Sequence, residues 1–141
     1  ESMTKYGSKK NMELNNIELE LYRYIESDTV KDIFKDLVLF SKSLDKFKCC
    51  ARNKGKKNFS YYDKQNYSPD KQKNDKPFSL IVNKNDLLFY IRKPAFKKNK
   101  ELDKYIDRKI INFIERQDGE YAGKINNFEQ LEEVKNILSE A

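Results

Sequence analysis

Pro77-Phe-Ser-Leu-Ile-Val-Asn83, followed by Leu87-Leu-Phe-Tyr-Ile-Arg-Lys-Pro94, is the stretch that decides the fold. Leu87, Phe89 and Ile91 alternate with Leu88, Tyr90 and Arg92, the period of two that sends alternate side chains to opposite faces of a strand. Phe78 to Asn83 is likewise rich in apolar residues, and Lys84-Asn85-Asp86 supplies turn residues between the two runs. The spacing predicts an antiparallel hairpin. Pro94 stops its second strand, because proline has no N–H to give to a ladder.

On either side of the hairpin the period becomes helical. Leu14, Ile17, Leu21, Tyr24 and Ile25 share one helical face, and Ser27-Asp28 offers cap oxygens for a second helix. That second helix carries Val30, Ile33, Phe34, Leu37, Val38, Leu44 and Phe47. After the hairpin, Leu102, Tyr105, Ile106, Ile110, Phe113 and Ile114 predict a third helix over about residues 100–117, stopped by Asp118-Gly119. Glu120 to Asn126 predicts a last strand, and Asn126 or Asn127 caps a final helix packed through Leu131, Val134, Ile137 and Leu138. Residues 48–76 are expected to form a long, mostly irregular basic loop, with one short strand near Phe59 to Tyr62. The expected fold is a single α+β domain over 13–141, in the order α-α-β-β-α-β-α, with a small antiparallel sheet carrying helices on one side. Residues 1–12 are expected to be disordered or vector-derived. A chain of 141 residues has room for one such core.

Charge is the main functional signal. The chain has 29 Lys and Arg against 23 Asp and Glu, net +6, and no histidine. Without histidine there is no Ser-His or Cys-His nucleophile, no imidazole acid–base group and no His-ligated metal. Residues 48–76 hold nine basic residues against Asp63, Asp70 and Asp75, with Phe59, Tyr61, Tyr62 and Tyr67 interleaved. A second basic block runs from Arg92 to Lys109, and the segment after it is acidic. Both basic blocks flank the central hairpin, so folding is expected to bring them to one edge of the sheet. Lysines neutralise phosphates and aromatic rings stack on unpaired bases, a combination suited to nucleic acid.

Other signals are quieter. No apolar run approaches the length that spans a bilayer, and residues 1–16 lack the apolar core of a signal peptide. Cys49 and Cys50 are adjacent, too close for an ordinary disulfide and too few for a zinc site, and read as reduced thiols. A cytoplasmic protein without a membrane partner is expected. Asp107-Arg108-Lys109 and Glu133-Val134-Lys135 imitate the acid-x-Lys element of metal-dependent nucleases, but both fall in predicted helices, where i and i+2 side chains diverge. Gly55 stands alone, so no phosphate-cradling glycine loop is present.

The two hairpin strands, then Gly119-Glu-Tyr-Ala-Gly-Lys-Ile-Asn126 and the closing helix, form a cadence over about 65 residues. It resembles the small α/β modules attached to predicted bacterial restriction-modification and phage-defence nucleases. The resemblance carries over no catalytic residue. It implies a targeting or accessory module whose catalytic partner lies elsewhere.

The sequence therefore predicts a nucleic-acid-binding module, for DNA in preference to RNA, without catalytic residues, metal or cofactor of its own. Its expected contacts are Lys54, Lys56, Lys57, Lys71 and Lys73 in the loop, with Arg92, Lys93, Lys97 and Lys98 at the sheet edge. Tyr61, Tyr62 and Tyr67 would stack on bases or line a pocket for an extruded one. The alternative is a protein-interaction domain, such as a phage-encoded inhibitor or accessory subunit, whose basic edge binds an acidic protein surface.

Overall fold

The structure, a computed structural model, describes residues 13–141; the expectation for residues 1–12 lies outside the described residues. Two helices come first among the described residues, α1 (Asn16–Tyr24) and α2 (Asp28–Ser43). Four strands follow, β1 (Phe47–Asn53), β2 (Lys57–Asp63), β3 (Phe78–Val82) and β4 (Leu87–Ile91). Two short helices, α3 (Lys93–Lys98) and α4 (Asp103–Arg108), lead to β5 (Ile114–Gln117), β6 (Glu120–Ile125) and a last helix, α5 (Phe128–Glu140). All strands join one antiparallel six-stranded sheet, in the order β1-β2-β3-β4-β6-β5.

The central hairpin forms as its alternation dictates. Phe78 pairs with Ile91, Leu80 with Phe89 and Val82 with Leu87, all fully or nearly buried on one face. Phe59 and Tyr61 extend this face into β2 and Ile125 into β6, and Leu21, Ile33, Phe34, Leu37, Val134 and Ile137 close over it from α1, α2 and α5. The fold is thus α+β, with the helices packed against one face of the sheet. Local chemistry sets the helix starts. Asn15 forms a capping box with Glu18, Ser27 caps α2 through the Val30 N–H, and Asn127 caps α5 through the Gln130 N–H.

Three expectations are corrected. The first concerns the basic loop at 48–76, most of which is sheet. β1 and β2 pair over their whole length, Cys49 with Tyr61 and Ala51 with Phe59, around a turn at Gly55 whose φ is +58°. Phe47, Cys49 and Ala51 face the helices while Lys48, Cys50 and Arg52 face away, so the lysines and arginine are the polar half of a period-two pattern. Only residues 64–77 remain irregular, and Asn74 clamps them by bonding the Ser68 N–H and C=O.

Second, α2 ends at Ser43, and Asp45 turns the chain with a left-handed φ of +58°, so Phe47 belongs to a strand. On α1, Ile17 is 45% exposed, and buried Glu18 takes its place. Its carboxylate accepts from the Asn15 N–H at 2.9 Å and the Lys42 ammonium at 2.8 Å.

Third, the single helix expected over 100–117 breaks. Lys109 adopts a left-handed φ of +61° and ends α4, and Ile111 is buried in the core. β5 then pairs with β6 around Asp118-Gly119, with Gln117 opposite Glu120 and Gly119 at φ +80°. Asp-Gly between apolar runs is a hairpin signal as much as a helix stop. The β-branched Ile110, Ile111 and Ile114 also favour strand over helix. Gly123 makes the packing possible, because a Cβ there would lie 2.4 Å from the Ile111 side chain.

Candidate functional site

The sheet face turned away from the helices is the second surface built by the alternation. Its middle row runs Cys50, Ser60, Ser79, Tyr90, Ala122, small except at Tyr90. A second row runs Arg52, Asn58, Ile81, Leu88, Lys124. At the other side Lys48 stands opposite Tyr62, and Arg92 follows β4, its N–H bonded to the Pro77 carbonyl. The small side chains of Cys50, Ser60 and Ser79 thus leave a shallow trough across β1, β2 and β3, closed by Tyr90 on β4.

One end of this trough is cationic and aromatic. Residues 64–77 fold back so that the Tyr67 ring lies 5.3 Å from that of Tyr62. The Lys48 ammonium sits 5.9 Å from the Tyr67 ring centre, and the Lys76 ammonium 5.9 Å from that of Tyr62. Burial holds Lys76 below the ordinary lysine range, and the charges of Arg92 and Arg52 press it further down. Burial also raises the Tyr62 phenol, with smaller upward contributions from Cys50 and Tyr67, opposed by Arg52 and Ser60. Among the described residues no carboxylate lies within ion-pair distance of Lys48, Arg52 or Lys76, and Arg92 meets only Glu120 at 3.3 Å. A group of Asp and Glu side chains lies around Tyr121. Glu115, Asp103, Asp107 and Asp118 all raise the Tyr121 phenol, Glu115 most. The surface is therefore polarised, with its uncompensated positive charge on the open face beside β1, β2 and the end of β4.

The residues expected to form one site divide. Arg92, Lys93, Lys97 and Lys98 do come to the end of the sheet where β1 begins and β2 ends, Lys98 meeting Asp63 at 3.4 Å. Tyr62 and Tyr67 are half-exposed there. Lys71 and Lys73 are exposed in the 64–77 loop, and the Lys71 ammonium donates to the Asn66 carbonyl. Lys54 and Lys56 occupy the β1–β2 turn at the opposite end, about 20 Å from Lys48 at the rise of an antiparallel strand. Lys57 is on the helix-facing side, its ammonium 4.6 Å from the Tyr24 ring centre. Tyr61 is completely buried, its hydroxyl 2.7 Å from that of Ser41, so it belongs to the core and cannot stack on a ligand. Tyr61 and Tyr62 are neighbours on a strand, and only the pairing register decides which one is outside. Sequence reasoning missed Lys48, Arg52 and Lys76. The alternation from Phe47 to Arg52 was the signal that would have marked the first two.

The nuclease-like patterns are occupied structurally. Arg108 lies 3.2 Å from the buried carboxylate of Glu133, and Lys135 lies 3.0 Å from Asp36. Among the described residues no cluster of three His, Cys, Asp or Glu could hold a metal ion, and no helix is long and apolar enough to cross a membrane. No protein-family model, curated protein or solved structure matches the chain.

Proposed function

We propose that this domain binds nucleic acid as an unpaired strand laid across the open face of the sheet, without chemistry of its own. The observation that carries the reading is the group Lys48, Arg52, Lys76 and Arg92 near the tilted ring pair of Tyr62 and Tyr67; among the described residues only Arg92 of these has a carboxylate within reach. Burial first, and then the charges of Arg92 and Arg52, hold Lys76 down, and a bound anion would offset the second of these. Half-exposed rings accept bases, and an open antiparallel face keeps the phosphates and bases of one strand in reach together.

The test is salt-dependent binding of a labelled single-stranded 12-mer, followed by fluorescence anisotropy. Four phosphate contacts on a single strand give a slope of about −2.8 in log K against log salt, hence a roughly 50-fold loss between 50 and 200 mM. Arg52→Ala is expected to reduce the slope to about −2.1 and the loss to roughly 18-fold. Duplex DNA of the same sequence should bind more weakly, because its bases are not free to stack. Absence of binding at 50 mM salt would overturn the proposal.

A second reading rests on the apolar half of the same face, Ile81, Leu88 and Tyr90, with Ile114 62% exposed at the β5 edge. An acidic protein partner would cover this half as well as the cationic end. It would bind with no advantage for single-stranded nucleic acid, and Leu88→Asp would weaken it more than Tyr62→Ala.

A further inference from the structure

Beside the open face lies a cleft of about 580 Å³, at the end of the sheet where β1 begins and β2 and β4 end. Its volume is within the range of small-molecule sites. Phe47, Pro77 and Pro94 form an apolar wall, and Lys46, Lys93, Lys97 and Lys98 stand around it. Phe47 is half-exposed, while Tyr61 and Phe78, on which its ring packs edge-on at 5.5 and 5.8 Å, are buried. The Phe47 ring is thus anchored at the surface, with the Lys46 ammonium 5.7 Å from its centre.

The four lysines outnumber the two side-chain carboxylates of the cleft, Asp63 and Asp75. Among the described residues Lys93 and Lys97 have no carboxylate at ion-pair distance, and Lys98 reaches Asp63 only at 3.4 Å. Lys46 donates to the Ser139 and Ala141 carbonyls, and both burial and the charge of Lys98 lower its pKa. Crowded ammonium groups of this kind favour a compact, doubly charged anion, and lysine binds phosphate as a point charge. Asn66 and Asp75 enter the cleft from the 64–77 loop and offer acceptors for hydroxyl or amino groups. The same loop sends Tyr67 and Lys76 to the open face, so it forms the partition between the two surfaces.

An apolar wall, lysines and hydrogen-bond acceptors in one cleft match the three parts of a nucleotide. We propose that this cleft binds a single nucleotide, its base against Phe47 and the prolines and its phosphate among the lysines. The nucleotide has two possible sources, a free mononucleotide or the phosphorylated end of a strand lying on the open face. The second source rests on the function proposed above; the first does not.

The test titrates the protein with AMP, adenosine and inorganic phosphate by NMR chemical-shift perturbation. It also measures anisotropy for 12-mers bearing a 5′-phosphate, a 3′-phosphate or neither. AMP is expected to shift cleft amides saturably and to bind at least tenfold more tightly than adenosine or phosphate alone. Lys93→Glu with Lys97→Glu should weaken AMP by tenfold or more, while Arg52→Glu leaves it within twofold. Both lysines are at the surface, and Phe47→Leu, which keeps an apolar side chain, tests the wall independently.

A preference for one phosphorylated end, lost in the double lysine variant, assigns the strand end as ligand. AMP binding without such a preference assigns the free nucleotide. Oligonucleotide binding that needs Arg52 and Tyr62 but ignores end phosphates, together with no AMP shift at millimolar concentration, overturns the cleft proposal and leaves the open-face reading standing. AMP binding with no oligonucleotide binding does the reverse.

Discussion

Tyr61 and Tyr62 are adjacent, chemically identical and on opposite faces of the sheet, so substituting each in turn separates stability from binding. Tyr61 packs edge-on against Phe47, Phe59 and Phe78 at 5.5, 5.2 and 6.2 Å, and its hydroxyl pairs with that of Ser41. In Tyr61→Phe the Ser41 hydroxyl still donates to the Leu37 carbonyl at 2.7 Å. The loss is therefore one buried hydrogen bond, about 0.5–1.5 kcal/mol. Tyr61→Ala removes the ring as well and should cost about 3–5 kcal/mol, the range for buried aromatic truncations. Neither should change the affinity of the folded fraction for a single strand.

Tyr62→Ala should do the opposite. It removes a half-exposed ring that touches Tyr67, so stability falls by no more than about 1 kcal/mol. A lost stacking contact of about 1–3 kcal/mol weakens strand binding by roughly 5- to 150-fold. Tyr62→Phe keeps the stacking surface and should stay within about threefold of the parent. Urea unfolding monitored by circular dichroism gives the stabilities, and anisotropy in 50 mM salt gives the affinities. If Tyr61→Phe weakened binding as much as Tyr62→Ala without lowering stability, the register of β2 would be wrong and the proposed face with it.

Further consequences follow from other parts of the structure. Gly123→Ala should destabilise by about 1–3 kcal/mol, read as a lowered urea midpoint at unchanged slope, because its Cβ meets the Ile111 side chain at 2.4 Å. Lys54→Glu with Lys56→Glu, in the far turn, should weaken strand binding less than Arg52→Glu alone, and the reverse order would place the strand elsewhere. Burial, with help from the neighbouring Cys50 and Glu18, pushes the Cys49 thiol up to about 12. In a Cys50→Ala variant, native Cys49 should resist iodoacetamide at pH 9 and react once urea is added. A raised folded pKa means that the native state holds its proton longer than the unfolded chain. Cys49 therefore contributes stability that is complete below about pH 9 and lost as pH rises toward 12. Tyr105, also raised to about 12 by burial and by its bond to Glu140, loses its contribution between pH 10 and 12. Unfolding scans across pH 8 to 12 would refute both if stability rose.

The central hairpin, the three capped helices and the α+β class were legible in local chemistry, because each element carries its own period and its own stop. Pro77 and Pro94 bracket the hairpin, and Ser27 and Asn127 start helices where the alternation of apolar residues changes period. The charge excess was legible too, as a segment. Its arrangement was not. β1 looked like a loop because lysines occupy its outer face, and a strand with one wet face needs a partner before its alternation means anything. Pairing with β2 sends Lys48 and Arg52 outward, buries Tyr61, and carries Lys54 and Lys56 about 20 Å from Lys48. Likewise Ile111 became a core residue only because Gly123, twelve positions later, leaves room for it. By itself the sequence determined the elements and the sign of the surface. Which tyrosine faces a ligand, and which lysines stand together, depends on register and long-range pairing, and those are settled only when the whole sheet closes over one core.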